Sequence, residues 1–239
     1  MKTAMILAAG RGERMRPLTD HTPKPLLLVG GKPLIQWHLE RLAKAGFTRI
    51  VINHAHLGDQ IEESLGDGSA FGVELLYSRE GEALETAGGI ATALPLIDAE
   101  IFPVVNGDVF CDFDFQRFAG IMETMQREHS PAKFTLAHLI LVDNPPHHPQ
   151  GDFVLQDGKV QDKTVPLSHS AFTFSGIGLY RRDLFANTAA GKKAPLAPLL
   201  KAAMAEGRVT GEHYHGRWVD VGTPERLISL DNEITRQAC

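Results

Sequence analysis

Between residues 10 and 24 the chain gathers Gly10, Gly12, Arg14, Arg16 and Lys24, with Lys24 held between Pro23 and Pro25. Glycines let a backbone pass close to a bulky ligand, and successive exposed N–H groups form a cradle for anions. Arg14, Arg16 and Lys24 together in one loop suit a highly charged ligand, most simply a polyphosphate. The flanking prolines stiffen the backbone around Lys24 and restrict the residue before each of them, a rigidity that solubility alone would not require. The stretch therefore reads as a nucleoside triphosphate loop with a positioned lysine. Glycine-rich strand-to-helix loops are common for other reasons, and this one matches neither familiar phosphate motif. Met15 stands where the dinucleotide fingerprint has its third glycine, and no Gly-Lys-Ser/Thr follows as in a Walker A loop.

Two aspartates stand out further along. Asp108 follows an apolar run and the turn residue Gly107, and Asp220 lies inside Trp218-Val219-Asp220-Val221-Gly222. An acid embedded in an apolar run needs a partner once folded, which a cap, a salt bridge or a metal ion would each supply. Asp112-Phe113-Asp114 offers two more carboxylates, either of which could cap a helix beginning near Phe115. The pairs His147-His148 and His213-x-His215 have superficial metal spacing. No carboxylate or cysteine partner for them is evident in the sequence, so they read as solvated or core histidines. His54-Ala-His56 alternates, and we assign it no role.

These residues need a frame. The apolar run 4–9, short and bounded by Gly10, suits a buried parallel strand. Hydrophobic periodicity and stop signals place helices over residues 33–45, 57–65, 86–94, 115–128, 196–205 and 224–236. Strands are expected over 49–53, 73–78, 102–106, 134–142, 172–180, 209–214 and 217–221. A hairpin is expected over 153–156 and 159–161, turning at Asp157-Gly158. The β–α alternation of the first half predicts an α/β fold with a doubly wound, mostly parallel sheet, whose ligands gather at the carboxyl ends of the strands. The loop after the first strand and Asn106-Gly107-Asp108 both fall there. After residue 130 the pattern changes, and Asp143 to Gln150 is turn-rich and cannot be helical. We expect one domain over residues 1–239, with a nucleotide-binding half to about 130 and an acceptor-binding half from about 131 to 239.

Composition narrows the class. With 239 residues and 43% hydrophobic content the chain suits a soluble globular protein with a sizeable core. Its formal charge of −5 gives no basic footprint, so nucleic acid is not an expected partner. The two cysteines, Cys111 and Cys239, cannot build a disulfide framework, and no CxxC spacing suggests zinc. The N-terminus enters a strand almost at once, leaving no room for a signal peptide, and no apolar run is long enough to span a bilayer. A cytoplasmic protein without a membrane partner is expected, and the short C-terminus favours a monomer.

The whole stretch LAAGRGERMRPLTDHTPKPL, residues 7–26, is far more specific than its glycines. It closely resembles the signature of the sugar-1-phosphate nucleotidylyltransferases, which join a nucleoside triphosphate to a sugar 1-phosphate and release pyrophosphate. That resemblance implies a Rossmann-like α/β/α sandwich and attack by a sugar-phosphate oxygen on the α-phosphorus. Such a nucleophile is already ionised near neutral pH, so catalysis reduces to positioning and charge neutralisation. The resemblance also implies Mg²⁺, held by Asp108 and Asp220. Arg14 and Lys24 would be catalytic. Ala9, Gly10, Gly12 and Glu13 would bind the nucleotide with them, as would Glu80, Thr86 and Gly88. Glu80 stands roughly where related enzymes read the base, and a carboxylate there can accept from uracil N3–H. Thr86 has a competing reading as a helix N-terminus. Asn106, Gly151, Asp152, Ser175 and Gly176 would meet the sugar phosphate.

Asp112-Phe113-Asp114 also resembles the DxD metal motif of nucleotide-sugar glycosyltransferases, but the Lys24 loop favours capping for these acids. The segments VDNPPHHPQGDF, FTFSGIGLY and GEHYHGRWVDVGTPERL resemble a uridylyltransferase branch of the family that serves bacterial cell-wall recycling. This implies UTP and N-acetylmuramate α-1-phosphate as substrates. Glucose 1-phosphate with UTP or dTTP, and mannose 1-phosphate with GTP, are the alternatives. Many family members carry a Glu-Lys-Pro whose lysine grips the sugar phosphate. None occurs between Gly151 and Phe174, and Lys163 is a poor substitute, so the acceptor's cation is left open.

Overall fold

The computed structural model describes residues 2–163 and 171–238, so Cys239 lies outside the described residues. The chain opens on β1 (Thr3–Leu7), a two-strand ribbon β2 (Leu28–Val29) and β3 (Lys32–Pro33), and helix α1 (Leu34–Lys44). Then come β4 (Arg49–His54), α2 (Gly58–Leu65), β5 (Glu74–Arg79), α3 (Glu85–Ala93), β6 (Ile101–Asn106), β7 (Val109–Cys111) and α4 (Phe118–Gln126). The second half holds β8 (Ala137–Val142), β9 (Phe153–Gln156), β10 (Lys159–Asp162), β11 (Ala171–Arg181), α5 (Leu196–Ala205), β12 (Val209–His213), β13 (Trp218–Asp220) and α6 (Pro224–Ala238).

One nine-stranded sheet runs in the order β5-β4-β1-β6-β11-β8-β12-β10-β9. Its first four strands are parallel, as the β–α alternation requires. The unbroken parallel run belongs to that half. β11 runs antiparallel between β6 and β8, while β12 returns parallel to β8 and the β9–β10 hairpin closes the edge. Strand residues alternate between two cores because successive side chains leave opposite faces of a sheet. Ala4, Ile6, Ile50 and Ile52 meet α1, α2 and α4 on one side. Met5, Val51, Phe102 and Val104 meet α3 and α5 on the other. Helix α6 packs Leu227 and Leu230 into a third cluster with Met15, Leu34, Phe110 and Val221, which seats the first loop against the C-terminal region.

Three of the differences from the sequence expectation have identifiable causes. The helix expected over 115–128 opens as a 3-10 turn, Phe115–Arg117, because the Asp114 carboxylate accepts from Gln116 N at 3.0 Å. The strand expected from residue 134 begins at Ala137. Its leading carbonyls are taken by guanidinium groups, Arg208 on Phe134 O at 2.8 Å and Arg181 on Thr135 O at 3.3 Å. Strand β7 is an addition: Val109–Cys111 pairs antiparallel with β13, Trp218–Asp220, which lies inside the strand expected over 217–221, and brings Asp220 opposite Val109.

His138, on β8, is buried with its Nε2 unpartnered among the described residues and its Nδ1 2.9 Å from Thr210 Oγ1. Burial, then the nearby Arg117 charge, lowers its pKa from 6.5 to about 4. Between those values the unfolded chain binds a proton that the folded chain does not. Stability is therefore fully present above pH 6.5, falls as the pH drops toward 4, and changes no further through this group below that. The expected loss is about 3 kcal/mol. Denaturant midpoints of the wild type and His138→Gln, measured at pH 7 and 4.5, should differ in slope with pH by most of this amount. Parallel pH profiles would contradict it.

Candidate active site

β1 delivers the chain to its carboxyl end, where residues 8–27 fold over the parallel strands in three 3-10 turns instead of entering a helix. Gly12 takes φ +70°, a left-handed conformation open to glycine, and a Cβ there would press on Thr19 Cγ2 at 3.0 Å and Lys24 Cβ at 3.3 Å. Its carbonyl accepts from Thr19 Oγ1 at 2.9 Å. The loop's own charges then sort themselves. Arg11 pairs with Glu13 at 3.0 Å and Arg16 with Asp20 at 2.8 Å. Arg16 is thus held by Asp20 and does not line the cavity, whereas Arg14 and Lys24 do.

That cavity, of about 370 Å³, is walled by Ala9, Gly10, Gly12, Glu13, Arg14, Lys24, Thr86, Asn106 and Asp108 among the expected residues. Leu7, Ala8, Met15, Pro25, Asn53, Ala83, Glu85 and Gly222 complete it. Lys24 is 6% exposed, and its Nζ donates to Asp108 Oδ2 at 2.7 Å. A buried ammonium facing a cavity is costly without a partner, so the carboxylate and any ligand anion share its charge.

A second cavity of about 340 Å³ adjoins the first, and Arg14, Asn106 and Asp108 line both. Its other walls include Asp220, Ser175, Gly176, Trp218, Phe174, His147 and His148. A register shift of β11 against β8 between Phe174 and Ile177 bulges Ser175-Gly176 toward this space. Bulges of this kind re-aim residues beside binding sites. Gly176 has φ +79°, and a Cβ there would meet Asn106 Nδ2 at 2.7 Å, so glycine permits the close approach. The indole N–H of Trp218 donates to Ser175 O at 2.8 Å and fastens the bulge to β13.

Asp108 and Asp220 are neighbours through the β7–β13 ribbon, where Val221 N donates to Asp108 O at 3.2 Å. Asp220 Oδ2 lies 3.3 Å from both Arg226 Nη1 and His147 Nε2. His148 Nε2 lies 3.0 Å from Asp152 Oδ1, and His213 Nε2 lies 2.9 Å from Asp143 Oδ1. The expectation that these histidines lack carboxylate partners is therefore corrected. Their partners are remote in sequence or reached across a turn.

Four expected residues do not line either cavity. Glu80 is 6% exposed and its two oxygens accept from Asn53 Nδ2 at 2.7 Å and Leu84 N at 2.9 Å. Gly88 lies within α3, where a Cβ would strike Lys192 O at 2.2 Å, so its bareness serves packing against the 192–194 segment. Asp152 Oδ2 accepts from Phe174 N at 2.9 Å, steadying the bulged strand. Gly151, at φ +57°, is wedged against Asn144 and Phe172, with its carbonyl accepting from Lys163 Nζ at 2.8 Å. Lys163 is thus spent on backbone. Asp112 Oδ1 accepts from Arg217 N at 2.8 Å and from the Tyr214 hydroxyl, and Asp114 is a cap, so neither is a metal motif. Thr86 is the second residue of α3, whose N-terminal boundary has no side-chain cap. The helix-cap reading therefore fails, and Thr86 faces the cavity.

Two of the wall residues that sequence reasoning missed carry structural detail. Asn53, the last residue but one of β4, accepts from Ala8 N at 3.0 Å and ties Glu80 to the first loop. A polar residue near the end of an apolar strand beside β1 was the available signal. Glu85 has φ +61°, a conformation that costs a non-glycine residue on the order of 1 kcal/mol and persists only where surroundings enforce it. Sequence carries no sign of it.

A parallel half-sheet with an anion loop and two carboxylates at its carboxyl end defines a nucleotide-handling α/β protein. The nucleotidyl transferase family model matches residues 3–237, and this chain belongs to that family. It is 56% identical over 226 residues to the N-acetylmuramate alpha-1-phosphate uridylyltransferase of Neisseria meningitidis serogroup B, covering 94% of each chain. It is 31% identical to the enzyme of the same name from Caulobacter vibrioides, covering 96% of each. The fold matches a Bacillus anthracis chain described as a glucose-1-phosphate thymidylyltransferase, solved with sucrose. The TM-score is 0.81 at 24% identity, with 98% of this chain and 95% of that chain covered. It also matches HddC from Yersinia pseudotuberculosis complexed with GMP-PN, with a TM-score of 0.74 at 21% identity over 98% and 99% of the chains. Among the described residues no helix is long and apolar enough to cross a membrane.

Proposed function

We propose that this protein transfers the uridylyl group of UTP to N-acetylmuramate α-1-phosphate, releasing pyrophosphate and UDP-N-acetylmuramate, as a cytoplasmic step of bacterial cell-wall recycling. The observation that carries the reading is the pair of adjoining cavities whose shared wall is Arg14, Asn106 and Asp108. One cavity takes the triphosphate and the other the sugar phosphate, so donor and acceptor meet at that wall. Identity of 56% across nearly the full length of the Neisseria enzyme supports the choice of substrates.

In this reading the acceptor phosphate oxygen forms a bond to the α-phosphorus as the bond to pyrophosphate breaks. Lys24 and Arg14 neutralise the phosphates, and the exposed amides from Ala9 to Glu13 cradle them. Asp108 and Asp220 present a hard-oxygen donor set on one wall, which fits a divalent cation such as Mg²⁺. That ion, when bound, would neutralise charge on the reacting phosphates. Glu80 acts one step behind the base, holding Asn53 and the Leu84 amide so that Ala83, Glu85 and Thr86 form the wall. Gly88 sets the depth of that wall through helix packing. Asn106, Ser175 and Gly176 meet the sugar phosphate, while Gly151 and Asp152 shape the acceptor side from behind Phe174. The division into a nucleotide half and an acceptor half follows this assignment.

The lactyl ether of muramate ends in a carboxylate that glucose and N-acetylglucosamine lack. With Lys163 committed to Gly151, His147 and His148 join Arg14 as the residues of the second cavity able to carry positive charge. We expect a kcat/KM for N-acetylmuramate 1-phosphate with UTP about tenfold or more above that for N-acetylglucosamine 1-phosphate or glucose 1-phosphate, since a polar group built for the missing arm would be left unpaired. A coupled pyrophosphate-release assay over four nucleotides and these sugar phosphates checks it. Equal or reversed efficiencies would defeat the muramate assignment and leave the family standing.

A further inference from the structure

The parallel strands β8 and β12 pair with Leu141 opposite His213. Residues two apart on an extended chain share a face. His213 and His215 therefore rise on one side of the strand end, while Tyr214 between them turns away to Asp112. Asp143 stands two residues beyond Leu141, just past the end of the neighbouring strand β8, and so arrives beside the same two imidazoles. The two rings have centroids 4.0 Å apart, and the Phe172 ring backs His213 at 4.2 Å. A donor atom from each of Asp143, His213 and His215 falls within 4.8 Å of the others.

A simple ion pair does not account for this group. Asp143 Oδ1 is 2.9 Å from His213 Nε2, yet Nε2 is buried and makes no hydrogen bond among the described residues, so the close approach is not a hydrogen bond. A shared metal ion explains both facts. Each donor then aims at the ion, and the donors gather beside one another at about 3.3 Å, the edge of a tetrahedron with bonds near 2.05 Å. His213 is backed by an aromatic ring, while Asp143 and His215 are exposed, so an ion has both a fixed anchor and a path of entry.

We propose that Asp143, His213 and His215 bind a divalent transition-metal ion of the Zn²⁺ class at the joined ends of β8 and β12. Two imidazoles select such an ion over Mg²⁺, which prefers all-oxygen ligands. None of the three residues lines either cavity, so the site is separate from the reaction centre. It sits where the 143–152 segment leaves the sheet, and a bound ion would pin the root of the segment that carries His147 and His148 to the acceptor wall.

The test titrates Co²⁺, as a spectroscopic probe, and then competing Zn²⁺ into the metal-stripped full-length chain. The wild type is expected to bind one tight equivalent whose visible absorption Zn²⁺ abolishes. His215→Gln and Asp143→Asn should each weaken that binding at least about tenfold, since even loss of an outer-shell partner costs 10–100-fold. Both exposed substitutions should leave the circular dichroism spectrum and Mg²⁺-supported turnover unchanged, while Asp220→Asn retains the tight ion. Absence of a saturable tight ion overturns the proposal. So does a tight ion that persists in His215→Gln and disappears in Asp220→Asn, which would place it at the reaction centre.

Discussion

Lys24→Met lowers kcat by on the order of 10²–10³, the range found when one preorganised electrostatic stabiliser is removed, while Lys192→Met leaves it near the wild-type value. Both substitutions remove one positive charge, and net charge cannot tell them apart. Position can. Lys24 is buried between Pro23 and Pro25, its Nζ set 2.7 Å from Asp108 Oδ2 on the cavity wall. Lys192 is exposed and contributes to the site through its backbone, where its carbonyl limits the space at Gly88. Because Lys24 also neutralises Asp108, the thermal midpoint should be measured beside the rate to separate lost folding from lost chemistry. The side chain of Asp108 is 42% exposed, so water can solvate it after the substitution and the fold should hold. Similar rate losses in the two variants would remove charge positioning by Lys24 from the mechanism.

Asp108→Asn and Asp220→Asn each abolish most turnover, again by on the order of 10²–10³, and raise the Mg²⁺ concentration needed for half-maximal rate. The amides keep the size of the carboxylates but give up the negative charge that a hard cation requires. Asp220→Asn also leaves Arg226 and His147 without their common partner at 3.3 Å, whereas Asp108→Asn leaves Lys24 unpaired. The Asp108→Asn variant should therefore bind UTP no worse than the wild type in the absence of metal, because Lys24 is freed for phosphate. Equilibrium binding of a non-hydrolysable UTP analogue with and without Mg²⁺ separates these effects. Turnover near normal at saturating Mg²⁺ in both variants would sink the metal assignment.

Some features of this protein could be read from residue order alone because they are local. The run before Gly10, the prolines around Lys24 and the β–α alternation each act within a few residues, and they placed β1, the anion loop and the parallel half-sheet. Helix α5 was expected over the residues it occupies. Asp157-Gly158 turned the β9–β10 hairpin as expected, through positive φ at both positions. Other features arose only when distant segments met. The β7–β13 ribbon joins residues more than a hundred positions apart, and it alone makes Asp108 and Asp220 neighbours. The bulge that presents Ser175-Gly176 exists because β11 must pair with β8 and still approach Asn106. Glu80 shows the same division. Its place in the chain suggested contact with a base, but burial demanded partners for both oxygens, and Asn53 and the Leu84 amide supplied them. Sequence settled which groups were available near the site. Tertiary packing decided which of them face the cavities, because each buried polar atom must first find a partner, and those partners lie far away along the chain.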